Sequence, residues 1–99
     1  MNLIDQNIEL IHTLCKTHKV KSLYAFGSVL TDQFNTDSDI DLLVNFRDID
    51  LLDYADNYFD FKFSLEDTFK RPVDLLEEKT LKNPYFKNTV EKSKQLIYC

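Results

Sequence analysis

The sequence contains very little glycine: Gly27 is the one glycine among 99 residues. An average protein carries roughly seven per cent glycine, so this chain builds its turns without glycine except at one position. Gly27 follows a strand-like run and precedes a serine. Glycine at the end of a strand permits an unusual backbone conformation and lets the main chain approach a ligand closely. We therefore expect a ligand to approach the main chain at Gly27.

Cysteine is also scarce, because the chain has only Cys15 and Cys99, with no metal-ligand spacing between them. A pair of reduced thiols, as in cytosolic proteins, is the expected state. No charged-then-apolar leader opens the sequence, and no apolar run approaches the roughly 20 residues that a membrane span needs. The sequence therefore predicts a cytoplasmic protein that does not contact a membrane.

Basic residues are outnumbered, with 12 Lys and Arg against 17 Asp and Glu, which gives a net charge of −5. Binding to nucleic-acid phosphates needs clustered Lys and Arg, so direct nucleic-acid binding is not expected. The charge suits a basic protein partner better. The hydrophobic fraction of 43% excludes a disordered tail and predicts a packed core. The length suits one domain, residues 1–99.

The first half of the chain reads as helix, strand, turn and strand. Apolar spacing predicts a helix from Asn2, its expected cap, to about Lys19. The continuous apolar run Val20 to Phe26 predicts a strand in the middle of a sheet. A short turn of helix follows from Ser28 to about Asp32, then a polar turn from Gln33 to Ser38 and a strand from Asp39 to Phe46. The short connection requires the two strands to be near neighbours.

The second half begins with a helix that Asp48 or Asp50 can cap and that runs to about Phe69. Its apolar face is broad, and either fills the core or contacts a partner; it comprises Leu51, Ala55, Tyr58, Leu65 and Phe69, widened by Tyr54, Phe61 and Phe63. The expected later elements are a strand at Val73 to Glu77, a helix at Tyr85 to Lys94 after Asn83-Pro84, and a closing strand or tail at Gln95 to Tyr98. His12 and His18 lie in the first helical region and are expected to be structural.

Asp39 and Asp41 are the main candidate site residues. Residues two apart in a strand lie on the same face, so their carboxylates can act together. No His or Cys is near them, and carboxylates alone suit Mg²⁺ or Mn²⁺ rather than zinc. Asp74, at the start of another strand, can complete a two-metal cluster. Gly27 and Ser28 at a helix N-terminus can bind phosphates. These parts together describe in-line attack at a nucleotide phosphate.

Two other interpretations compete for the aspartates. Asp37, Asp39 and Asp41 imitate positions one, three and five of a calcium-binding loop, but Leu42 stands where glycine is required and Asp48 where glutamate is required. Those mismatches argue against an EF-hand. The remaining alternative is that the three aspartates are the solvated start of a strand and bind nothing.

The spacing from Gly27-Ser28 over ten residues to Asp39-Ile40-Asp41 resembles the signature of the polymerase-β-like nucleotidyltransferase superfamily. Further segments are similar to its minimal branch, the antitoxin members of HEPN/nucleotidyltransferase toxin–antitoxin pairs, and the similarity covers nearly the whole chain. Those segments are Leu23-Tyr24-Ala25-Phe26, Leu42-Leu43-Val44, Arg71-Pro72-Val73-Asp74-Leu75, Asn83-Pro84-Tyr85-Phe86 and Ile97-Tyr98.

The resemblance implies an α/β fold with a small mixed sheet and helices packed mainly on one face. It also implies transfer of AMP from ATP to a tyrosine hydroxyl of a cognate HEPN ribonuclease toxin, which would form a hetero-oligomer with this chain. Asp39 and Asp41 would hold Mg²⁺, Asp74 would be the third ligand and general base, and Gly27 and Ser28 would bind phosphate.

The chain departs from this resemblance after the glycine-serine pair, where many relatives carry arginines and this chain has Val29 and Thr31. One alternative function is therefore an antitoxin that neutralises its toxin by binding alone. Another is a small-molecule nucleotidyltransferase, although such relatives need a further region to form the acceptor pocket. A further departure is Phe69-Lys70, where relatives commonly have leucine-glycine.

Overall fold

The computed structural model describes residues 3–31, 34–35 and 37–99. Within these residues the helices are α1 (Leu3–Gln6), α2 (Ile8–Thr17), α3 (Leu51–Phe69) and α4 (Pro84–Ser93). The strands are β1 (Val20–Phe26), β2 (Ile40–Phe46), β3 (Val73–Glu77) and β4 (Gln95–Tyr98). Short 3₁₀ helices follow β1, at Gly27–Leu30, and β3, at Glu78–Thr80. The predicted strands are confirmed, with β2 beginning one residue after Asp39.

The strands form a mixed sheet in the order β3-β2-β1-β4 among the described residues. β1 is antiparallel to both of its neighbours, and β2 is parallel to β3. The predictions that β1 is central and adjacent to β2 are both confirmed. β2 and β3 are parallel because α3 carries the chain back along the sheet between them.

The two faces of the sheet are covered unequally. Alternate residues of β2, namely Ile40, Leu42 and Val44, are fully buried in a large core beneath α1, α2 and α3. The opposite face carries a smaller cluster around Phe26, Leu43 and Val90, the last of which lies in α4. The predicted arrangement, a mixed sheet with helices mainly on one face, is therefore confirmed.

The first helix is broken, which corrects the prediction of one continuous helix. Asn7 separates α1 from α2, because its side-chain Nδ2 donates to the Leu3 carbonyl at 2.9 Å, while its backbone N–H bonds to Ile4. Asn competes in this way for carbonyls that a continuous helix needs. α2 ends at Thr17 because Lys19 has a left-handed φ of 58°. The predicted cap Asn2 lies outside the described residues, as do Asp32 and Gln33.

Helix α3 has the predicted extent but a narrower buried face. Phe61, Leu65 and Phe69 are buried at a spacing of four residues. Leu51, Ala55 and Phe63 were predicted on the apolar face, but all three are exposed. At about 100° per residue, Phe63 falls on the side of α3 opposite the buried stripe and Ala55 falls outside its edge, while Leu51 is in the first turn. Asp50 is the cap residue, although its side chain makes no capping hydrogen bond.

The two histidines of the helical layer both have hydrogen-bond partners. His18 is 6% exposed, and its ring nitrogens lie 2.7 Å from the Leu14 carbonyl and 2.6 Å from Asp60 Oδ2. His18 is more deeply buried than expected, and it stabilises the packing of α2 on α3. His12 Nε2 lies 2.8 Å from the Ile97 carbonyl. Cys15 is a buried free thiol whose pKa is raised to about 12 by burial, and Cys99 is an exposed free thiol.

No described helix combines the length and the apolar character required to cross a membrane.

Candidate active site

Asp41 lies at the centre of the candidate site, as the second residue of β2. Its position in the sheet register is opposite Phe26 of β1 on one side and Asp74 of β3 on the other. Residues directly opposite each other in neighbouring strands project from the same face. The sheet therefore places the Asp41 and Asp74 carboxylates side by side, on the face that α4 covers only in part.

Asp39 precedes β2 by one residue and is exposed. The pKa of Asp41 is raised, first by burial and then by the negative charges of Asp74 and Asp39. Asp39 and Asp74 are therefore both within electrostatic range of Asp41. Within the described part of the chain, no group of three His, Cys, Asp or Glu side chains is arranged closely enough to hold a metal ion.

Gly27 directly abuts the Asp41 carboxylate. Its φ is +78°, in the region that side-chain-bearing residues rarely adopt. A Cβ at this position would lie 2.5 Å from Asp41 Oδ2, which is closer than real contacts allow. Only glycine fits here without movement, and this explains why the one glycine of the chain stands at this turn.

The turn that begins at Gly27 is a four-residue 3₁₀ helix rather than a turn of α-helix. Ser28 is half-buried, and its carbonyl accepts hydrogen bonds from both the backbone N–H and the Oγ1 of Thr31. Val29 is 4% exposed and packs in the large core. The hydroxyl of Ser28 remains a predicted phosphate ligand, while Val29 points away from any ligand.

Arg71 was part of the sequence motif, but no role was predicted for it. Its Nη1 donates to the carbonyls of Asn35 at 2.9 Å and Ser38 at 3.2 Å. Its guanidinium carbon also lies 4.5 Å from the centre of the Phe34 ring. Arg71 thus ties the start of β3 to the loop that leads into Asp39. A single Arg beside a proline gives no sequence signal for such a long-range contact.

Tyr58 of α3 was predicted as an apolar-face residue, and it also interacts with the site. Its hydroxyl donates to the Leu75 carbonyl of β3. The pKa of Tyr58 is raised by burial and by the charge of Asp74. Because Leu75 follows Asp74 directly, this hydrogen bond fixes the strand that carries the third carboxylate.

The mixed sheet, with a glycine turn and carboxylates on neighbouring strands, is the architecture of a nucleotidyltransferase domain. Residues 9–99 match the family described as "Polymerase beta, Nucleotidyltransferase", and the chain belongs to this family.

The chain is also similar to individual proteins. A "Putative protein adenylyltransferase" of Methanocaldococcus jannaschii is 38% identical over 86% of this chain and 82% of the relative. A solved structure named "Structure of putative minimal nucleotidyltransferase" is 29% identical, with a TM-score of 0.77 over 96% of this chain and 95% of that chain. A complex of the tri-AMPylated Shewanella oneidensis HEPN toxin with MNT antitoxin shares the fold at 21% identity and a TM-score of 0.64, over 94% of this chain and 70% of that chain.

Proposed function

We propose that this chain is a protein adenylyltransferase that acts as an antitoxin, by transferring AMP from ATP to a tyrosine hydroxyl of a cognate HEPN toxin. The adenylyltransferase relative and the structural neighbour with an AMPylated toxin support this reaction. The observation that carries the proposal is the pairing of Asp41 with Asp74, with Gly27 against the Asp41 carboxylate. Toxin and antitoxin would form a hetero-oligomer in the cytoplasm.

Asp39, Asp41 and Asp74 are the proposed ligands for Mg²⁺, or for Mn²⁺, and their exposed or half-buried side chains would have to turn toward one another to bind an ion together. They supply only carboxylate oxygens, which these hard cations prefer. The neighbouring charges that raise the pKa of Asp41 would be neutralised by a divalent cation, so the donor set fits one. When bound, the metal would neutralise phosphate charge and make the acceptor hydroxyl a better nucleophile.

In the proposed reaction the tyrosine oxygen forms a bond to the α-phosphorus of ATP. The bond from that phosphorus to the oxygen bridging the β-phosphate breaks, and pyrophosphate leaves with the electron pair. Asp74 is exposed, so an acceptor hydroxyl can approach its carboxylate, which takes up the hydroxyl proton. Gly27 is exposed as well, so the phosphates can approach its main chain closely.

The test is the intact mass of the protein encoded beside this chain, after co-expression with wild type, with an Asp39→Asn, Asp41→Asn double variant and with Asp37→Asn. Asp37 is a matched control, because it is exposed in the same loop and its hydrogen bond to Asn35 uses only its backbone N–H. AMP increments are expected with wild type and Asp37→Asn and not with the double variant. Increments that persist in the double variant would contradict the proposed role of the aspartates.

The second candidate is neutralisation of the toxin by binding alone. It is favoured by Val29, which is buried in the core at a position where many relatives carry a cationic side chain. Exposed, stacked Phe59 and Phe63 on α3 offer an apolar contact surface. If the aspartate double variant still protects cells from the toxin, binding alone is sufficient. If protection is lost while the complex remains intact, catalysis is required.

A further inference from the structure

Two phenylalanines lie beside the carboxylates and have no assigned role. Phe26 is the last residue of β1 and is directly opposite Asp41 in the sheet register. Its ring is therefore on the same sheet face as the Asp41 carboxylate. Phe86, in the first turn of α4, packs against it with ring centroids 6.1 Å apart at 77°. Phe26 is itself buried, so the accessible aromatic surface at this contact belongs to Phe86.

Phe86 is held firmly although it is partly exposed. Asn83 caps α4 by accepting hydrogen bonds from the backbone N–H groups of Tyr85 and Phe86, and Pro84 fixes the first helical residue. One side of the Phe86 ring contacts Phe26, and 42% of the residue remains open to solvent. An exposed aromatic ring fixed by a helix cap is a preorganised surface for a flat ligand.

The distance from the carboxylates suits a mononucleotide. Neighbouring strands are about 4.8 Å apart, so Phe26 is one strand spacing from Asp41, and the Phe86 ring contacts the Phe26 ring. These two steps together allow a separation between Phe86 and Asp41 of up to on the order of 10 Å. A nucleotide whose α-phosphate lies at the carboxylates can extend its base over that distance.

We propose that Phe86 stacks on the nucleobase of the nucleotide substrate. This inference rests on the proposed nucleotidyl transfer and adds to it the residue that binds the base. Stacking on an aromatic ring is tolerant of base identity, because every base has a π-face. Phe86 would then contribute affinity for ATP and GTP alike, without choosing between them.

The test compares ATP with inorganic tripolyphosphate, which carries similar phosphate charge but no base. ATP, GTP and tripolyphosphate are each titrated in Mg²⁺ buffer into wild type, Phe86→Leu, Phe86→Trp and Phe59→Leu. Leucine keeps an apolar contact with Phe26 but removes the ring. Phe59 is the matched control, because it is 48% exposed but lies on α3, against the opposite face of the sheet.

Phe86→Leu is expected to weaken ATP and GTP about tenfold and to leave tripolyphosphate unchanged. Phe86→Trp should bind ATP at least as tightly as wild type, and Phe59→Leu should leave the affinities for ATP, GTP and tripolyphosphate unchanged. Equal loss of ATP and tripolyphosphate, or no loss of ATP, in Phe86→Leu would overturn the stacking role while leaving nucleotidyl transfer intact. Wild type that binds neither ligand would overturn both proposals.

Discussion

The two faces of the sheet differ in what they do, although the same strand supplies both. Ile40, Leu42 and Val44 of β2 are each 0% exposed beneath the helices. Asp41 alternates with them and faces the opposite side, next to Asp74. One face is thus a packed apolar core, and the other brings like charges together at an energetic cost. Residues that stabilise the fold and a residue proposed for the chemistry therefore alternate along β2.

Replacing one or the other of two neighbouring residues of β2, Leu42 or Asp41, should change the free energy of unfolding in opposite directions. Leu42→Ala removes buried methyl groups and is expected to lower the free energy of unfolding by about 2–5 kcal/mol. Asp41→Asn should instead raise it at pH 7 in the absence of divalent cations, because it removes a charge that burial disfavours and that Asp74 and Asp39 repel. Urea denaturation measures both changes.

The pH dependence of Asp41→Asn provides a control for the cause. The folded state raises the pKa of Asp41, so the wild-type chain is relatively more stable when this carboxyl is protonated. The increase in the free energy of unfolding from Asp41→Asn should therefore be largest above the folded-state pKa of Asp41 and become smaller as the pH falls. A gain that does not change with pH would show that the negative charge of Asp41 is not the reason.

The turn at Gly27, directly after β1, should not accept any side chain. Gly27→Ala is expected to abolish nucleotidyl transfer and to lower the free energy of unfolding by about 1–2 kcal/mol from the positive φ alone, with a further loss from the contact at Asp41 Oδ2. Urea denaturation and the AMP mass increment report the two effects. The same change in an Asp41→Ala background should cost less, because the clashing carboxylate is gone. Equal losses in both backgrounds would contradict the contact.

The sequence predicted the parts of the site that depend on local pattern. Asp39 and Asp41 were recognisable from their spacing, and Gly27 from its rarity. Asp74 was a candidate because it begins another strand, but its place opposite Asp41 depends on the order and register of β2 and β3, which the sequence does not give. The packing of Phe86 on Phe26 joins residues 60 positions apart, which no local pattern encodes.

The errors in the fold prediction have equally local causes. The Asn7 break was missed because one side-chain hydrogen bond to Leu3 overrides a helical apolar pattern. Leu51 and Phe63 were assigned to the core because they are apolar, yet a helix buries only the stripe that meets the sheet. Helix periodicity gives the existence of α3, but the layer that it packs against decides which apolar residues remain exposed.

The end of α3 offers the smallest expected effect and the clearest contrast with Gly27. Lys70 ends this helix with a φ of 59°, where a glycine carries no steric penalty. Lys70→Gly should therefore raise the free energy of unfolding by about 1 kcal/mol. This variant also removes the ion pair between Lys70 and Asp67, whose nitrogen and oxygen atoms are 3.4 Å apart. The pair is exposed to solvent and therefore contributes little to stability. Lys70→Ala is the control, because it removes the same ion pair but keeps the Cβ, and it should give no gain. If both variants gain equally, the lysine charge rather than the backbone is responsible. If only Lys70→Gly is stabilised, the end of α3 tolerates a lysine at a left-handed φ at some cost in stability. The candidate site instead requires glycine at position 27, because the Asp41 carboxylate leaves no room for a side chain.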